Sequence, residues 1–280
     1  MREINVGRVK DEVKRLAIEA AYYLPNDIKY ALKDAREKES FALAKDILVK
    51  IEENYIIAET EMKPLCQDTG MACIFIEIGQ DVRLVGGNLE SAINSGIVEA
   101  YEEGFLRKSV VKDPIRRINT KDNSPAIIDY KIVDGDRVKV VFAAKGFGSE
   151  NMSRLKMLKP SDGIRGVKEF ILETIELASG NPCPPIVVGV GIGGNFDRVA
   201  KLAKQALIRD IDIRNNDEFY ADLEVEMLEK INSLGIGPQG FGGKTTAIAV
   251  NVETFPTHIA GLPVAVNINC HSTRHKEVII

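Results

Sequence analysis

The chain has 280 residues, 45% of them hydrophobic, with 37 Lys and Arg against 41 Asp and Glu and a formal net charge of −4. That balance gives no electrostatic footprint for nucleic acid or an anionic membrane. A start charged throughout, no apolar run of about 18 residues and only four cysteines speak against a signal peptide, a membrane span and a secreted disulfide framework, and suggest the cytoplasm.

Val6, Val9, Val13, Leu16, Ala17 and Ala20 recur at helical spacing and predict a first helix, which Pro25 stops. Helices over 27–38 and 40–54 follow, so residues 1–60 read as a helical N-terminal layer. Beyond it, ACIFIEI at 72–78 predicts a strand, and 88–105 a helix opened by Asn88. The apolar runs 126–133 and 137–144 flank Asp134-Gly135-Asp136 and predict a hairpin. Helices over 163–179, 195–208 and 217–234 alternate with β-rich runs at 185–190, 246–252 and 262–268. The fold class is therefore α/β in a mixed α+β arrangement, with a helical layer packed on an α/β body (61–280) that carries a mixed sheet.

Glycine, proline and cysteine gather in four turn-forming stretches: PLCQDTG (64–70), KGFGSENMS (145–153), NPCPPIVVGVGIGGN (181–195) and residues 235–275. Such loops bring backbone close to ligands on a rigid scaffold. Cys66 sits in the first, Cys183 lies between prolines in the third, and Cys270 ends a predicted strand before His271. Cys73 lies inside ACIFIEI and reads as core. Cys66, Cys183 and Cys270 are 117 and 87 residues apart, without the short paired spacings of structural zinc sites. Single thiolates from separate loops suit an iron–sulfur cluster, whose three-thiolate form leaves one iron open as a Lewis acid.

Two glycine motifs compete with that reading. Gly189-Val190-Gly191-Ile192-Gly193-Gly194 matches G-x-G-x-x-G between a predicted strand and helix, the setting of a nucleotide-binding or regulatory module. A more economical expectation is that this turn offers backbone N–H groups to the cluster or to a substrate carboxylate. Gly242-Gly243-Lys244-Thr245 ends like a P-loop, but Pro238 stands where that motif requires glycine.

Read in order, PLCQDTG, EEGFLRKSVV, RINTKDNSPA, KGFGSENMS, NPCPPIVVGVGIGG, GPQGFGGKTTA and PTHIAGLPVAVNINCH resemble the class I iron–sulfur fumarases and the related L-tartrate dehydratases, in the part that occurs as an alpha subunit. The resemblance implies a [4Fe–4S] cluster held by Cys66, Cys183 and Cys270 with one iron open to substrate. It also places Gln67 and Arg107 as substrate-binding residues, and Asp68 and His258 as catalytic ones. The implied reaction is reversible hydration of fumarate to malate, with L-tartrate dehydration as the alternative. The family's base and further carboxylate-binding residues lie in a beta part, so the expected assembly pairs this chain with a beta subunit as a dimer of alpha–beta pairs. KGFGSEN departs from the family's triple glycine at Phe147, which puts in question any contact there that needs a left-handed backbone.

Overall fold

The computed structural model describes residues 1–280. In chain order the elements are β1 (Arg2–Asn5), α1 (Val6–Tyr22), α2 (Asn26–Lys38), α3 (Ala42–Glu61), β2 (Met71–Gly79), β3 (Val82–Val85), α4 (Leu89–Glu103), β4 (Ile127–Val133), β5 (Val138–Lys145), α5 (Phe147–Glu150), β6 (Arg154–Leu158), α6 (Gly163–Ala178), β7 (Ile186–Gly193), α7 (Phe196–Ala206), α8 (Glu218–Ser233), β8 (Ala247–Phe255), β9 (Leu262–Asn269) and β10 (His275–Ile279). The mixed α/β class follows directly. No helix is long and apolar enough to cross a membrane.

Two compact units share the chain. One holds Met1–Pro25, Asn54–Phe147 and Arg274–Ile280; the other holds Asn26–Glu53 and Gly148–Thr273. Of the helices in the first 60 residues, α1 falls in the first unit and α2 in the second.

The first unit is built on a sheet of order β10-β5-β2-β4, with a parallel β1–β3 pair beside it. The stripe predicted for α1 is its buried face, and the Asn5 side chain caps the helix by accepting the Gly7 N–H. Helix α4 crosses α1 at Gly96, where an added Cβ would stand 2.5 Å from the Lys10 carbonyl oxygen. These helices bury Leu16, Ile93, Ile97 and Tyr101 with Ile74, Ile76 and Phe142 of the sheet. The predicted hairpin does not form. Strand β2 lies between β4 and β5, parallel to the first and antiparallel to the second. The Val133–Arg137 turn instead passes over the end of β2, where Gly79, Gln80 and Asp81 donate to the carbonyls of Arg137, Val133 and Gly135. The Asp-Gly-Asp turn signal is correct, but β2 takes a neighbour on each edge and so separates the two runs.

The second unit carries a sheet of order β6-β9-β7-β8, in which β7 is fully buried. Helix α7 lies directly on β7: a Cβ at Gly189 would meet the Ala203 carbonyl oxygen at 2.2 Å, and one at Gly191 the Val199 carbonyl oxygen at 2.3 Å. Gly189 and Gly191 of GVGIGG are thus taken up by helix–strand packing, and Gly193 by the Phe255 carbonyl oxygen of β8, 2.0 Å from where its Cβ would stand, which supplies a physical reason for the motif without a nucleotide. Glu224, fully buried on α8, gathers Arg209 and the N–H groups of Asn215 and Val252. That pairing ties the segment after α7 to α8 and β8.

Gly79→Ala would push a Cβ to 2.4 Å from the Gly135 carbonyl oxygen. Overpacking of this kind costs about 1–3 kcal/mol. The expected result is a thermal midpoint lowered by several degrees; an unchanged midpoint would mean that the turn is not seated over β2.

Candidate functional site

At one end of the first sheet, register alone brings three chain segments together. Met71 of β2 faces Lys145 of β5, and His275 of β10 faces Ala143. The segment entering β2 (64–70), the one leaving β5 (146–147) and Arg274 before β10 therefore share this end. Leu65 fixes the first of them: its N–H donates to the Ala21 carbonyl at 2.8 Å, and its carbonyl accepts from Asn54 at 2.9 Å. Cys66 follows, half-buried and without a disulfide.

Three of the predicted residues meet here. Arg107 Nη1 donates to Gln67 Oε1 at 2.7 Å, which leaves Gln67 its amide hydrogens as the donors a substrate can use. Asp68 accepts the Gly70 N–H on Oδ1 at 3.1 Å and the Phe147 N–H on Oδ2 at 2.9 Å. Phe147 opens the short helix α5 and is not among the residues with positive φ. Its contact with Asp68 therefore needs no left-handed backbone, and the departure from the glycine pattern is accommodated.

Below this surface lies a layer that the sequence does not announce. The Thr69 hydroxyl donates to the Arg107 carbonyl at 2.8 Å. The Tyr101 hydroxyl reaches the carbonyls of Thr69 and Gly70 at 2.9 and 3.0 Å, and Asn123 Nδ2 joins on Gly70 at 3.2 Å. Burial drives the Tyr101 phenol far above its ordinary value, the Arg274 charge opposing and the Asp68 charge adding, so the ring remains a neutral donor. Arg274 is 3% exposed, and its Nε and Nη1 meet no hydrogen-bond partner. A Cβ on Gly146 would stand 3.2 Å from Asp68 Oδ2 and 3.4 Å from Arg274 Nη2, so the carboxylate and the guanidinium flank this glycine closely. Cys73 is buried in β2 between Ala143 and Ile127, as its setting predicts.

In the second unit the antiparallel pairing of β7 with β9 sets Val187 opposite Asn269. Cys183, before β7, and Cys270, after β9, accordingly sit at the same end of the sheet although 87 residues separate them. His271 Nδ1 lies 3.0 Å from the Cys183 carbonyl oxygen. Cys183 is exposed, Cys270 half-buried, and neither forms a disulfide. No three His, Cys, Asp or Glu side chains gather around a point that would hold a single metal ion. Surface-reaching thiols on loops, outside any disulfide, are the soft donor set that a cluster requires, because each thiolate binds a different iron.

Two expectations fare differently. His258 lies in the β8–β9 loop, at the opposite end of the sheet from Cys183 and Cys270, with the eight residues of β9 between, about 26 Å. There its Nδ1 accepts the Ala260 N–H at 3.2 Å, and Phe196, Phe255 and Ile259 stand exposed on the same loops. His258 and Cys270 thus stand at opposite ends of the strand that separates them in sequence. The Gly193–Gly194 turn, expected to offer N–H groups to the cluster or to a substrate carboxylate, also lies at that far end, with Asn195 capping α7 on Arg198 N–H, and so stands away from Cys183 and Cys270 within this unit. The physical reason is strand direction: β7 runs from Cys183 towards Gly193.

The family described as fumarate hydratase (Fumerase) matches residues 10–279. A Methanocaldococcus jannaschii protein named "Putative L(+)-tartrate dehydratase subunit alpha" is 48% identical over 273 residues, covering 95% of each chain. The L(+)-tartrate dehydratase subunit alpha of Escherichia coli K12 is 30% identical over 279 residues, covering 98% of this chain and 91% of its own, and that of Shigella sonnei aligns with the same identity and coverage. With nearly its full length matched, the chain belongs to the fumarate hydratase (Fumerase) family and is an enzyme of the hydro-lyase type.

Proposed function

We propose that the chain is the cluster-bearing alpha subunit of a cytoplasmic [4Fe–4S] hydro-lyase that removes water from a small dicarboxylic hydroxy acid, with L(+)-tartrate as the leading substrate. The sequence alone places fumarate first; the names of the relatives described above move tartrate to the front. Fumarate hydration stays as the second reading because the matching family carries that description. The observation that carries the proposal is the meeting of Cys183 and Cys270, both outside any disulfide, at one end of a sheet, although 87 residues of chain separate them.

In this reading Cys66, Cys183 and Cys270 hold the cluster, and when bound it supplies an open Lewis-acidic iron for the departing hydroxyl and an adjacent carboxylate. The chain's own residues do the rest. Arg107 grips a substrate carboxylate through the guanidinium edge not engaged by Gln67, and the Gln67 amide donates beside it. Asp68, fixed on both oxygens by backbone N–H groups, orients or moves a proton at the reacting carbons. Tyr101 and Asn123, through the carbonyls of Thr69 and Gly70, keep this loop in one geometry. His258 enters as a substrate-side residue by resemblance alone; its loop stands away from Cys183 and Cys270 of its own chain. A beta subunit supplies the base and the remaining carboxylate contacts.

An anaerobic preparation of the chain should be brown and contain iron and sulfide. Cys66→Ser, Cys183→Ser and Cys270→Ser should each abolish the colour, whereas Cys73→Ser should keep it; a colourless Cys73→Ser beside a brown Cys183→Ser would overturn the ligand set. Arg107→Lys keeps the charge but loses the planar fork, so KM for the dicarboxylate should rise roughly tenfold or more, about 1.4 kcal/mol, with the cluster content unchanged. The chain alone should turn over neither L(+)-tartrate nor fumarate. Anaerobic co-expression with a beta-type subunit should restore one of them, and full activity without a partner would refute the subunit assignment.

A further inference from the structure

The loop GPQGFGG (237–243) finds no use in the reaction described above, yet it holds the most unusual backbone in the second unit. Gly237, Gly240, Gly242 and Gly243 all have positive φ, as expected of glycine. Gln239 stands among them with φ 54° and ψ 15°, a left-handed conformation that costs a long side chain and that glycine would adopt freely. Cys183 is also left-handed, at φ 57°. Each of these two loops thus carries one strained residue, and such strain persists only where the surroundings enforce it.

The surroundings are visible. Gln239 donates twice to one acceptor: its main-chain N–H and its side-chain Nε2 both reach the Pro184 carbonyl at 2.8 Å. The same Nε2 lies 3.2 Å from His271 Nδ1, which is the ring atom 3.0 Å from the Cys183 carbonyl. Behind them the two loops touch through glycines, since a Cβ on Gly240 would stand 2.8 Å from Gly180 Cα, and Cys183 N–H donates back to the Gly180 carbonyl at 3.1 Å. With His271 Nδ1 unprotonated, that nitrogen accepts from Gln239 Nε2 rather than donating to the Cys183 carbonyl, and in that tautomer one amide side chain ties the residue after Cys183 to the residue after Cys270.

We infer that Gln239 is a positioning residue for the metal centre: its side-chain amide locks the Cys183 and Cys270 loops at the separation that cluster binding needs. The inference rests on the reading of Cys183 and Cys270 as cluster ligands. It accounts for a glutamine where the backbone alone would favour glycine, since glycine would relieve the strain but could not make the bridge.

The test uses anaerobically purified protein and three variants of one position. Gln239→Gly keeps the left-handed turn and removes the amide. Gln239→Glu keeps the shape and replaces the donor by an acceptor. Gln239→Asn keeps the donor on a shorter arm. The measurements are iron and sulfide content, the rate at which an iron(II) chelator bleaches the visible chromophore, and the thermal midpoint of the iron-free protein. Gln239→Gly and Gln239→Glu should both bleach on the order of tenfold faster than the parent, the scale of lost outer-shell support, with Gln239→Asn in between. The iron-free midpoint of Gln239→Gly should match or exceed the parent's, because the strain is gone. Bleaching of Gln239→Gly at the parental rate would overturn the inference while leaving the ligand reading intact. An iron-free parent protein would overturn the ligand reading itself, and this inference with it. Should Gln239→Gly not fold, parental bleaching of the shape-conserving Gln239→Glu overturns the inference on its own.

Discussion

The antiparallel pairing of β7 with β9 is the constraint on which the second unit's chemistry depends. A register that sets Val187 opposite Asn269 fixes the start of one strand against the finish of the other. Since side-chain direction has a period of two, a slip of one residue would exchange the two buried faces of β9, moving Val264, Val266 and Ile268 out of the larger core and onto the side where Ala265 packs with Val199 and Ala203 of α7, and that mismatch enforces the register. The meeting of Cys183 and Cys270 thereby inherits its precision from a hydrophobic core rather than from the loops themselves. The first unit works in the same way, because the β2–β5–β10 register delivers the Asp68 segment, Gly146 and Arg274 to one sheet end.

Much of this is legible in the sequence, and for physical reasons. Helix starts are readable because Asn5, Asn88, Asn195 and Asp217 each accept a hydrogen bond from a first-turn N–H, a local effect that leaves a local signature. The runs that become β4 and β5 mimic a hairpin because the partner that separates them, β2, lies some fifty residues upstream, beyond any local pattern. Strands β1, β3, β6 and β10 are four or five residues long and carry too few positions for an alternation to stand out. Among the candidate residues of the two units, Cys66, Gln67, Asp68, Arg107, Cys183 and Cys270 are marked by their turn-rich settings and by resemblance. Tyr101, Asn123, Gln239 and Arg274 are not, because their importance comes from burial and backbone angle, which only the folded chain displays. Asn123 has a clue in the string KDNSPA, but nothing there tells that its side chain is fully buried.

The glycine motifs illustrate how one residue type serves different ends. At Gly189 and Gly191 the absent side chain admits helix α7. At Gly79 it admits the carbonyl of a crossing turn, and at Gly146 it lets a carboxylate and a guanidinium share a neighbour. A fingerprint made of glycines records only that backbone must come close to something. The identity of that something is decided by strand direction and by what packs above, which is why GVGIGG resembles a nucleotide site in one dimension and is a packing seam in three.

Strand β10 completes the first sheet by pairing with β5, from Ile279 against Lys139 to His275 against Ala143. Ribosomes make residues 275–279 only after the whole of the second unit, so during synthesis one edge of β5 waits with its ladder groups unmatched while more than a hundred residues emerge. Long-range closure of this kind folds slowly and leaves a sticky rim in the meantime. A nascent chain with that history has reason to lean on chaperones, and deletions that remove β10 would be felt in the half of the molecule that is translated first.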